Sequence, residues 1–576
     1  MLAEKAAGRL ALILLIGYLL LAANLIRMQV VRGGYYYSLS ERNRIRVIFL
    51  EGPRGKLLDR RGRVLAANRL SFNCSAFPKD AKPGLAESCR ILSPILGVEA
   101  RRLEERFRRK KPGAYNTVII EEDLHPSQAM AIEEKLDLLP GFLIETRPQR
   151  EYPYGAAAAH LTGTIGPLTE QEYDALETMG YRQADWTGRE GVEQSYESYL
   201  RGRSGGLQME VDNRGQLIKP LGVKEPKEGR DVQLTVDAEL QEFAQSLLEG
   251  QKGAVAIMEL DEGGLLSVNS APSFDPNLFA SGRGRREVGR YLEGRGSPMI
   301  NRLIQGKFPP GSIFKIVTAL AAFDRKRIGP GTAFVCPGFK KVGGKIFHCW
   351  REQGHGPQDA VQAFAHSCNV FFYTAGILAG ADALFEKATA LGLDRATGVD
   401  LPSERKGFVP SRQWKRLIRR ESWYEGETAN FAIGQGQLQI TPIEALVMIA
   451  GVAKDGQLYR PHVIDRIDGR KAAERHTRYV DLGADLATVK KGLEEVVQSE
   501  TGTGRLARAE GVRVAGKTGT AQSGQARTHA WFIGYAPAED PKVAMVVFLE
   551  HGGRGGVAAA AIASKLFGRL KEAGYL

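Results

Sequence analysis

The feature that most limits what this chain can become lies at its start. The run "LALILLIGYLLLAANLI", Leu10–Ile26, is apolar except for Asn24, and Met28, Val30 and Val31 extend it. About 20 consecutive apolar residues suffice for a helix to cross the bilayer core, so this run can span a membrane with some tilt. Lys5 and Arg9 precede it, and positive charge tends to hold such a tail in the cytoplasm. Arg27 and Arg32 on the other side pull against that orientation. A cleaved signal peptide is the alternative, although no good small-x-small site follows the apolar core. The reading adopted is a cytoplasmic tail over 1–9, an uncleaved anchor over 10–31, and the rest of the chain outside the cytoplasm.

The remainder of the 576 residues exceeds one ordinary domain. Hydrophobic residues at 43% and charged residues at 25% place it among folded globular proteins. The net charge of +13 suits anionic surroundings such as lipid headgroups or acidic polymers. The sequence carries no zinc-finger pattern, RNA-binding aromatic signature or long basic helix, so nucleic acid is not the expected partner.

Texture divides the exported part in two. Residues 32–230 are charged and turn-rich, with short strand-like runs, and form the first domain. Within it "RGKLLDRRGRVLAA" reads as two short strands around a glycine turn, and "RRLEERFRRKK" as a solvated basic helix face. The polar stretch "VKEPKEGRD", Val223–Asp231, reads as a linker. Residues 231–576 form the second domain. There "GAVAIMEL" and "GGLLSVNS" predict one hairpin, and "AWFIGYAP" with "KVAMVVFLE" another. Helical segments lie between them, so an α+β fold with an antiparallel sheet flanked by helices is expected.

The stretch "PPGSIFKIV" carries Ser312 and Lys315 in an otherwise apolar context. Pro309, Pro310 and Gly311 signal a helix start. Ile313, Phe314, Ile316 and Val317 surround that helix with apolar side chains, so it should be buried. At a spacing of three, Ser312 and Lys315 share one face. Desolvation lowers a lysine pKa and provides a neutral amine as base, which makes Ser312 a candidate activated nucleophile. Two further segments add weight. "AHSCNVFF" places Ser367 and Asn369 on a short polar turn, and "VAGKTGTAQ" places Lys517, Thr518, Gly519 and Thr520 on a strand. The glycine there permits close approach of a ligand backbone.

These three segments, S-I-F-K, S-C-N and K-T-G in that order, match the trio of penicillin-binding proteins and class A β-lactamases. With "GREGVEQSYESYLRGRSG", "NRLIQGKFPPGSIFK" and "AIGQGQLQITPIEAL" added, the chain resembles the class B penicillin-binding proteins over nearly its whole length beyond the anchor. "APSFDPNLF" and "CPGF…CWREQGHG" are similar to the elongation-type members. The resemblance implies a bacterial inner-membrane D,D-transpeptidase, single-pass, with an elongated, non-catalytic pedestal over 32–230 and a β-lactamase-like domain over 231–576 on the periplasmic side. It would cross-link peptidoglycan stem peptides during elongation, maintain cell shape, and be inhibited by β-lactams. Ser312 would attack the D-alanyl-D-alanine carbonyl and Lys315 take its proton. Ser367 and Lys517 would pass a proton to the leaving D-alanine. Asn369 would hold the substrate amide, and Lys517, Thr518 and Thr520 its carboxylate. The N–H groups of Ser312 and Thr520 would form the oxyanion hole. The resemblance also implies a membrane-embedded glycan polymerase of the SEDS type as partner. A septal transpeptidase and an anchored β-lactamase or penicillin sensor remain the alternatives. No deacylating base is identifiable for the last.

Five cysteines complete the reading. Cys74 and Cys89 read as small buried hydrophobes. Cys336 and Cys349 would by default pair as a disulfide in an oxidising compartment. Yet Cys336, Cys349, His355 and Cys368 also make a full tetrahedral zinc set, of structural type because no ligand position stays open. Some elongation-type relatives carry Asp, Asp, His and Cys at the matching places. His348 competes with His355 as the histidine ligand. Zinc is the reading adopted.

Overall fold

A computed structural model describes residues 2–81, 84–109, 117–183, 185–211, 217–281, 285–294, 296–472, 477–522, 524 and 527–576. The N-terminal run forms a helix, Leu2–Ile26, continued by a wider π-type turn over Arg27–Val31. Among the described residues, Ala7–Val31 is the one helical segment long and apolar enough to cross a membrane, and none of it is buried.

The rest packs as two compact units. The smaller comprises residues 1–53, 69–149 and 202–228, the larger residues 54–68, 150–201 and 229–576. By contacts, the chain passes between the units five times. The physical reason is local. Leu57–Leu58 hydrogen-bonds in parallel with Val232–Gln233. Leu57, Leu65, Leu161, Val192 and Leu200 are buried in the same core as the C-terminal sheet. These segments carry too much apolar surface to stay outside that core.

In the smaller unit, Cys74 and Cys89 are free and buried in a core with Leu92, Leu103, Phe107 and Ile132. The basic helix runs from Ala100 to Arg109. Leu103 and Phe107 point inward and its arginines are exposed, while Lys110 and Lys111 lie outside the described residues. The segment read as a linker begins inside a strand, Leu217–Lys224, that pairs with Gly205–Val211.

The larger unit is built on a five-stranded antiparallel sheet: β1 (Gly253–Glu259), β2 (Leu265–Ala271), β3 (Ala515–Ala521), β4 (His529–Ala536) and β5 (Val543–Leu549). The order across it is β2-β1-β5-β4-β3, and both predicted hairpins are present. Every residue of β4 and β5 is buried, because helices cover both faces and alternation is lost. The helix Pro442–Ala453 packs on β1, β4 and β5, and the C-terminal helix Ala558–Glu572 on β4 and β5. Helices α1 (Lys315–Asp324) and α2 (Asn369–Ala379) pack together, and the 3₁₀ turn Gly311–Phe314 that precedes α1 lies against β3.

Candidate active site

The nucleophile turn differs from the expected helix start. Gly311–Phe314 is a 3₁₀ turn and the α-helix begins at Lys315. A 3₁₀ turn eclipses residues i and i+3, so Ser312 and Lys315 still share a face. Gly311 has φ +58°, and a Cβ there would come within 2.7 Å of the Thr520 carbonyl oxygen. A Cβ on Gly519 would lie 2.8 Å from the Pro310 carbonyl oxygen and 3.1 Å from Ile313. The glycine of K-T-G thus admits the nucleophile turn itself, where the sequence suggested a ligand.

The S-C-N segment is not a free turn. Ser367 has φ +51°, a left-handed conformation uncommon for serine and costly unless its surroundings hold it. Backbone hydrogen bonds from Ser367 N to Phe364 O (3.0 Å) and from Cys368 N to Ala363 O (2.9 Å) hold it. Cys368 is the N-cap of α2, and Asn369 is its first helical residue.

Two lysines converge on this turn. Lys315 Nζ donates to the Ser367 carbonyl oxygen at 2.8 Å, to Ser367 Oγ at 3.2 Å and to Asn369 Oδ1 at 2.7 Å. Lys517 Nζ, reaching over from β3, donates to the same Ser367 Oγ at 3.1 Å. Both lysines are fully buried, and neither has a carboxylate partner among the described residues. Burial pulls the Lys315 pKa down to about 8, with the nearby Cys368 and Cys349 sulfurs opposing the drop. Burial and then the Lys315 charge hold Lys517 well below the usual lysine range. A hydroxyl has two acceptor sites and one proton. With both acceptor sites taken by lysines, the Ser367 O–H is left to point at whatever enters.

Ser312 is half-buried, and its hydroxyl has no hydrogen-bond partner among the described residues. The predicted Ser312–Lys315 pair is therefore adjacent but not hydrogen-bonded. Nucleophile–base contacts often tighten only when substrate is bound. Thr518 Oγ1 lies 3.4 Å from Thr503 Oγ1. Thr503 also donates through its N–H (3.0 Å) and hydroxyl (3.2 Å) to the Ala365 carbonyl, two residues before Ser367. Sequence reasoning missed Thr503, because no motif joins it to residues so far away in the chain. Thr520 Oγ1 accepts from Gly555 N at 3.2 Å.

Behind the S-C-N turn, the donor atoms of Cys336, Cys349, His355 and Cys368 all lie within 4.8 Å of one another. His355 Nδ1 is 3.6 Å from each of the Cys336 and Cys349 sulfurs. His348 stays out of the cluster. Its exposed side chain is on a neighbouring hairpin strand, while its carbonyl accepts from Asn369 Nδ2 at 3.5 Å. The Cys349 thiol is pulled down, first by the hydrogen bond from Cys368, while that contact and burial push the Cys368 thiol up.

Residues 253–568 match the penicillin binding protein transpeptidase domain, and residues 49–234 the penicillin-binding protein dimerisation domain. The chain is 32% identical over 572 residues to the peptidoglycan D,D-transpeptidase MrdA of Acinetobacter baumannii, covering 95% of this chain and 84% of that protein. The protein of that name in Haemophilus influenzae is 30% identical over 594 residues, covering 97% and 91%. Among solved structures, the penicillin-binding protein PBP2 of Helicobacter pylori, in complex with MreC, superposes with TM-score 0.82 at 28% identity, over 92% of this chain and 99% of that one. PBP2 of Pseudomonas aeruginosa, in complex with WCK 5153, gives TM-score 0.69 at 28% identity, over 90% and 96%. With a transpeptidase match spanning more than half its length and relatives aligned nearly end to end, the chain belongs to the penicillin-binding protein family of D,D-transpeptidases.

Proposed function

We propose that the chain cross-links peptidoglycan stem peptides during cell elongation, through an acyl-enzyme on Ser312. The observation that carries this reading is the convergence of two buried, carboxylate-free lysines on one serine hydroxyl beside a second, unpartnered serine. Such an arrangement has no structural payoff, and it supplies a base and a proton path.

Ser312 Oγ attacks the carbonyl of the terminal D-alanyl-D-alanine bond, and its proton passes to neutral Lys315. The Ser312 and Thr520 N–H groups stabilise the oxyanion. Ser367, with Lys517 behind it, delivers a proton to the departing D-alanine nitrogen. Asn369 holds the stem amide, and Thr518 and Thr520 with Lys517 receive the terminal carboxylate. An amine from a neighbouring stem then attacks the ester, forms the cross-link and frees Ser312. Penicillins acylate the same hydroxyl. The elongation reading over the septal and β-lactamase alternatives rests on relatives named MrdA and structural neighbours named PBP2. Labelled penicillin tests the proposal: Ser312→Ala should abolish labelling while the protein stays folded. Failure of the wild type to label would sink it, and rapid turnover of the drug would favour the β-lactamase.

Cys336, Cys349, His355 and Cys368 fit a structural zinc ion. In a tetrahedral site with Zn–S near 2.3 Å and Zn–N near 2.0 Å, donors stand roughly 3.5 Å apart, close to the sulfur–nitrogen separations here. The three cysteines are buried and His355 is half-buried, and the set needs no open position. Bound zinc would supply folding free energy, and the four residues would orient Ser367 and Asn369 on either side of Cys368. Metal analysis of protein purified without added zinc should give about one equivalent, lost in Cys349→Ala. A Cys336–Cys349 disulfide with less than a tenth of an equivalent would refute it.

The N-terminal helix anchors the chain in the inner membrane, with the catalytic unit on the periplasmic side. A SEDS-type glycan polymerase is the proposed membrane partner. In support, the chain is 30% identical, over 97% of its length, to one in a solved structure described as coordinating polymerisation and cross-linking in a peptidoglycan synthase complex. Stimulation of polymerase activity should persist with Ser312→Ala.

A further inference from the structure

Beside the nucleophile turn lies a cavity of about 410 Å³ that none of the steps above uses. Its lining includes Trp414, Trp423 and Phe431, the amide-bearing residues Asn430, Gln435 and Gln437, and the charged Arg419 and Glu421. Its size is that of a small-ligand site.

The segment that forms its floor is locked to the catalytic residues. Gly311 N, one residue before Ser312, donates to Gly434 O at 2.9 Å. Phe431 stacks on Phe314 with ring centres 5.1 Å apart and planes 25° from parallel. Thr318 of α1 donates to Ala432 O at 2.7 Å. The cavity thus begins within two residues of the backbone that holds the nucleophile.

Its polar groups divide into used and unused. Lys415 is consumed, bonded to Glu427 at 2.7 Å and to the Ser422 carbonyl at 2.8 Å. Trp423 is pinned by its Nε1–H to Thr428 Oγ1 at 2.8 Å. By contrast, the side-chain amides of Asn430, Gln435 and Gln437 bond to no other described residue. Arg419 has no carboxylate partner among the described residues and lies 5.8 Å from the centre of the Trp414 ring. Flat apolar walls with unspent amides suit a ligand that is apolar on its faces and rich in hydroxyl and acetamido groups at its edges. A bare peptide has no such faces, and a purely anionic ligand would leave the aromatic walls idle.

Resting on the transpeptidase reading, we propose that this cavity is a glycan subsite. It holds an N-acetylated amino-sugar ring of the strand whose stem peptide is being transferred, with the ring face on Trp414 or Trp423 and the acetamido and hydroxyl groups on Asn430, Gln435 and Gln437. An extended stem of three or four residues spans roughly 10–14 Å, and the cavity's Phe431 packs on Phe314, two residues from Ser312. Arg419 meets an acidic group near the sugar–peptide junction. The enzyme therefore selects stems still attached to glycan over free peptides.

The test compares two protectants against labelled penicillin: a disaccharide-pentapeptide of N-acetylated sugars, and the same pentapeptide without sugar. In the wild type the disaccharide form should protect Ser312 at a concentration at least ten-fold lower. In Asn430→Ala/Gln437→Ala, both changes at exposed positions, the two concentrations should come within two-fold. Labelling by penicillin alone, which carries no sugar, reports that the variant is folded. Equal potency of the two protectants in the wild type would overturn the subsite, as would a sugar advantage that survives the double substitution. Equal weakening of both protectants would also overturn it, by assigning the cavity to peptide. A wild type that penicillin does not label would bring down the functional reading, and the subsite with it.

Discussion

The larger unit buries two clusters of cations, and they are handled in opposite ways. Around Glu193, Arg54 donates through Nε and Nη2 at 3.0 and 2.6 Å, and Arg150 through Nε at 2.6 Å. Arg54 also reaches Glu197 at 2.7 Å. Arg150 donates to the Gly55 carbonyl at 2.8 Å, and Gly188 N to Glu197 at 2.9 Å. Two arginines thus meet two carboxylates. Burial alone would lower the Arg54 pKa, but Glu193 and Glu197 outweigh it and raise it. Burial would likewise raise that of Glu193, and Arg150 and Arg54 bring it below the usual range. Around Ser367 there are two lysines and, among the described residues, no carboxylate, and both pKa values fall. The paired cluster fixes charge in place and holds chain segments together. The unpaired one keeps protons mobile, at a cost in stability that the fold absorbs elsewhere.

The sharpest way to break this contrast is Lys315→Met. Acylation by penicillin should fall about 10³-fold, within the range for loss of a general base, while the melting temperature holds or rises. A large loss of stability would show that Lys315 is structural and erase the contrast. Glu193→Gln should do the reverse. Leaving two arginines buried around a neutral amide should cost about 3–5 kcal/mol in denaturant unfolding, while the folded fraction acylates within a few-fold of wild type.

The pH dependence separates the clusters by window. Lys315, lowered to about 8, must be neutral to act as base. Acylation should therefore climb with pH and level off above about 8. Because its folded pKa lies below the unfolded value, the unfolded chain binds the proton more tightly. Lys315 thus destabilises the fold most fully below about 8, and stability rises with pH from there to about 10.4, the unperturbed lysine pKa. Glu193 acts in the same direction but at acidic pH, and as a stabilising group: its stabilisation is present above the ordinary glutamate pKa and lost as pH falls through its depressed folded value. Acylation that stayed flat from pH 6 to 9 would remove Lys315 as the base.

The smallest expected effect belongs to Thr503→Ala, which deletes the hydroxyl beside Thr518 and one of two bonds to Ala365 O. A three- to ten-fold slower acylation with unchanged melting temperature is expected. No change would leave Thr503 a bystander.

These contrasts also mark how far the sequence could be read. Ser312, Lys315, Ser367, Asn369 and Lys517 were legible because short spacings and apolar flanks carry the information locally. Both sheet hairpins were legible for the same reason. The left-handed Ser367 was not, since its conformation is imposed by the bonds of its turn to Phe364 and Ala363 rather than by a glycine. Nor was the division into units, because Leu57 declares no preference until Val232 lies beside it. Thr503 and the Arg54–Glu193 cluster depend on contacts across long stretches of chain, which no periodicity encodes. The choice between His348 and His355 needed the hairpin register: Phe339 stands opposite His348, which places the latter on an exposed face.

That sheet order has a consequence for how the enzyme is made. The two hairpins join edge to edge, since Gly253 of β1 pairs with Leu549 of β5, and Lys517 arrives on β3. Pairing across a stretch of about three hundred residues is slow to nucleate, because loop closure precedes any reward. A chain emerging N-terminus first has its nucleophile turn long before it has β3, β4 and β5. The Ser312 turn is therefore made well before Lys517, whose Nζ donates to Ser367 Oγ at 3.1 Å, can join the cluster. The cluster around Ser367 is complete only when the last ninth of the chain, which begins at about β3, has arrived.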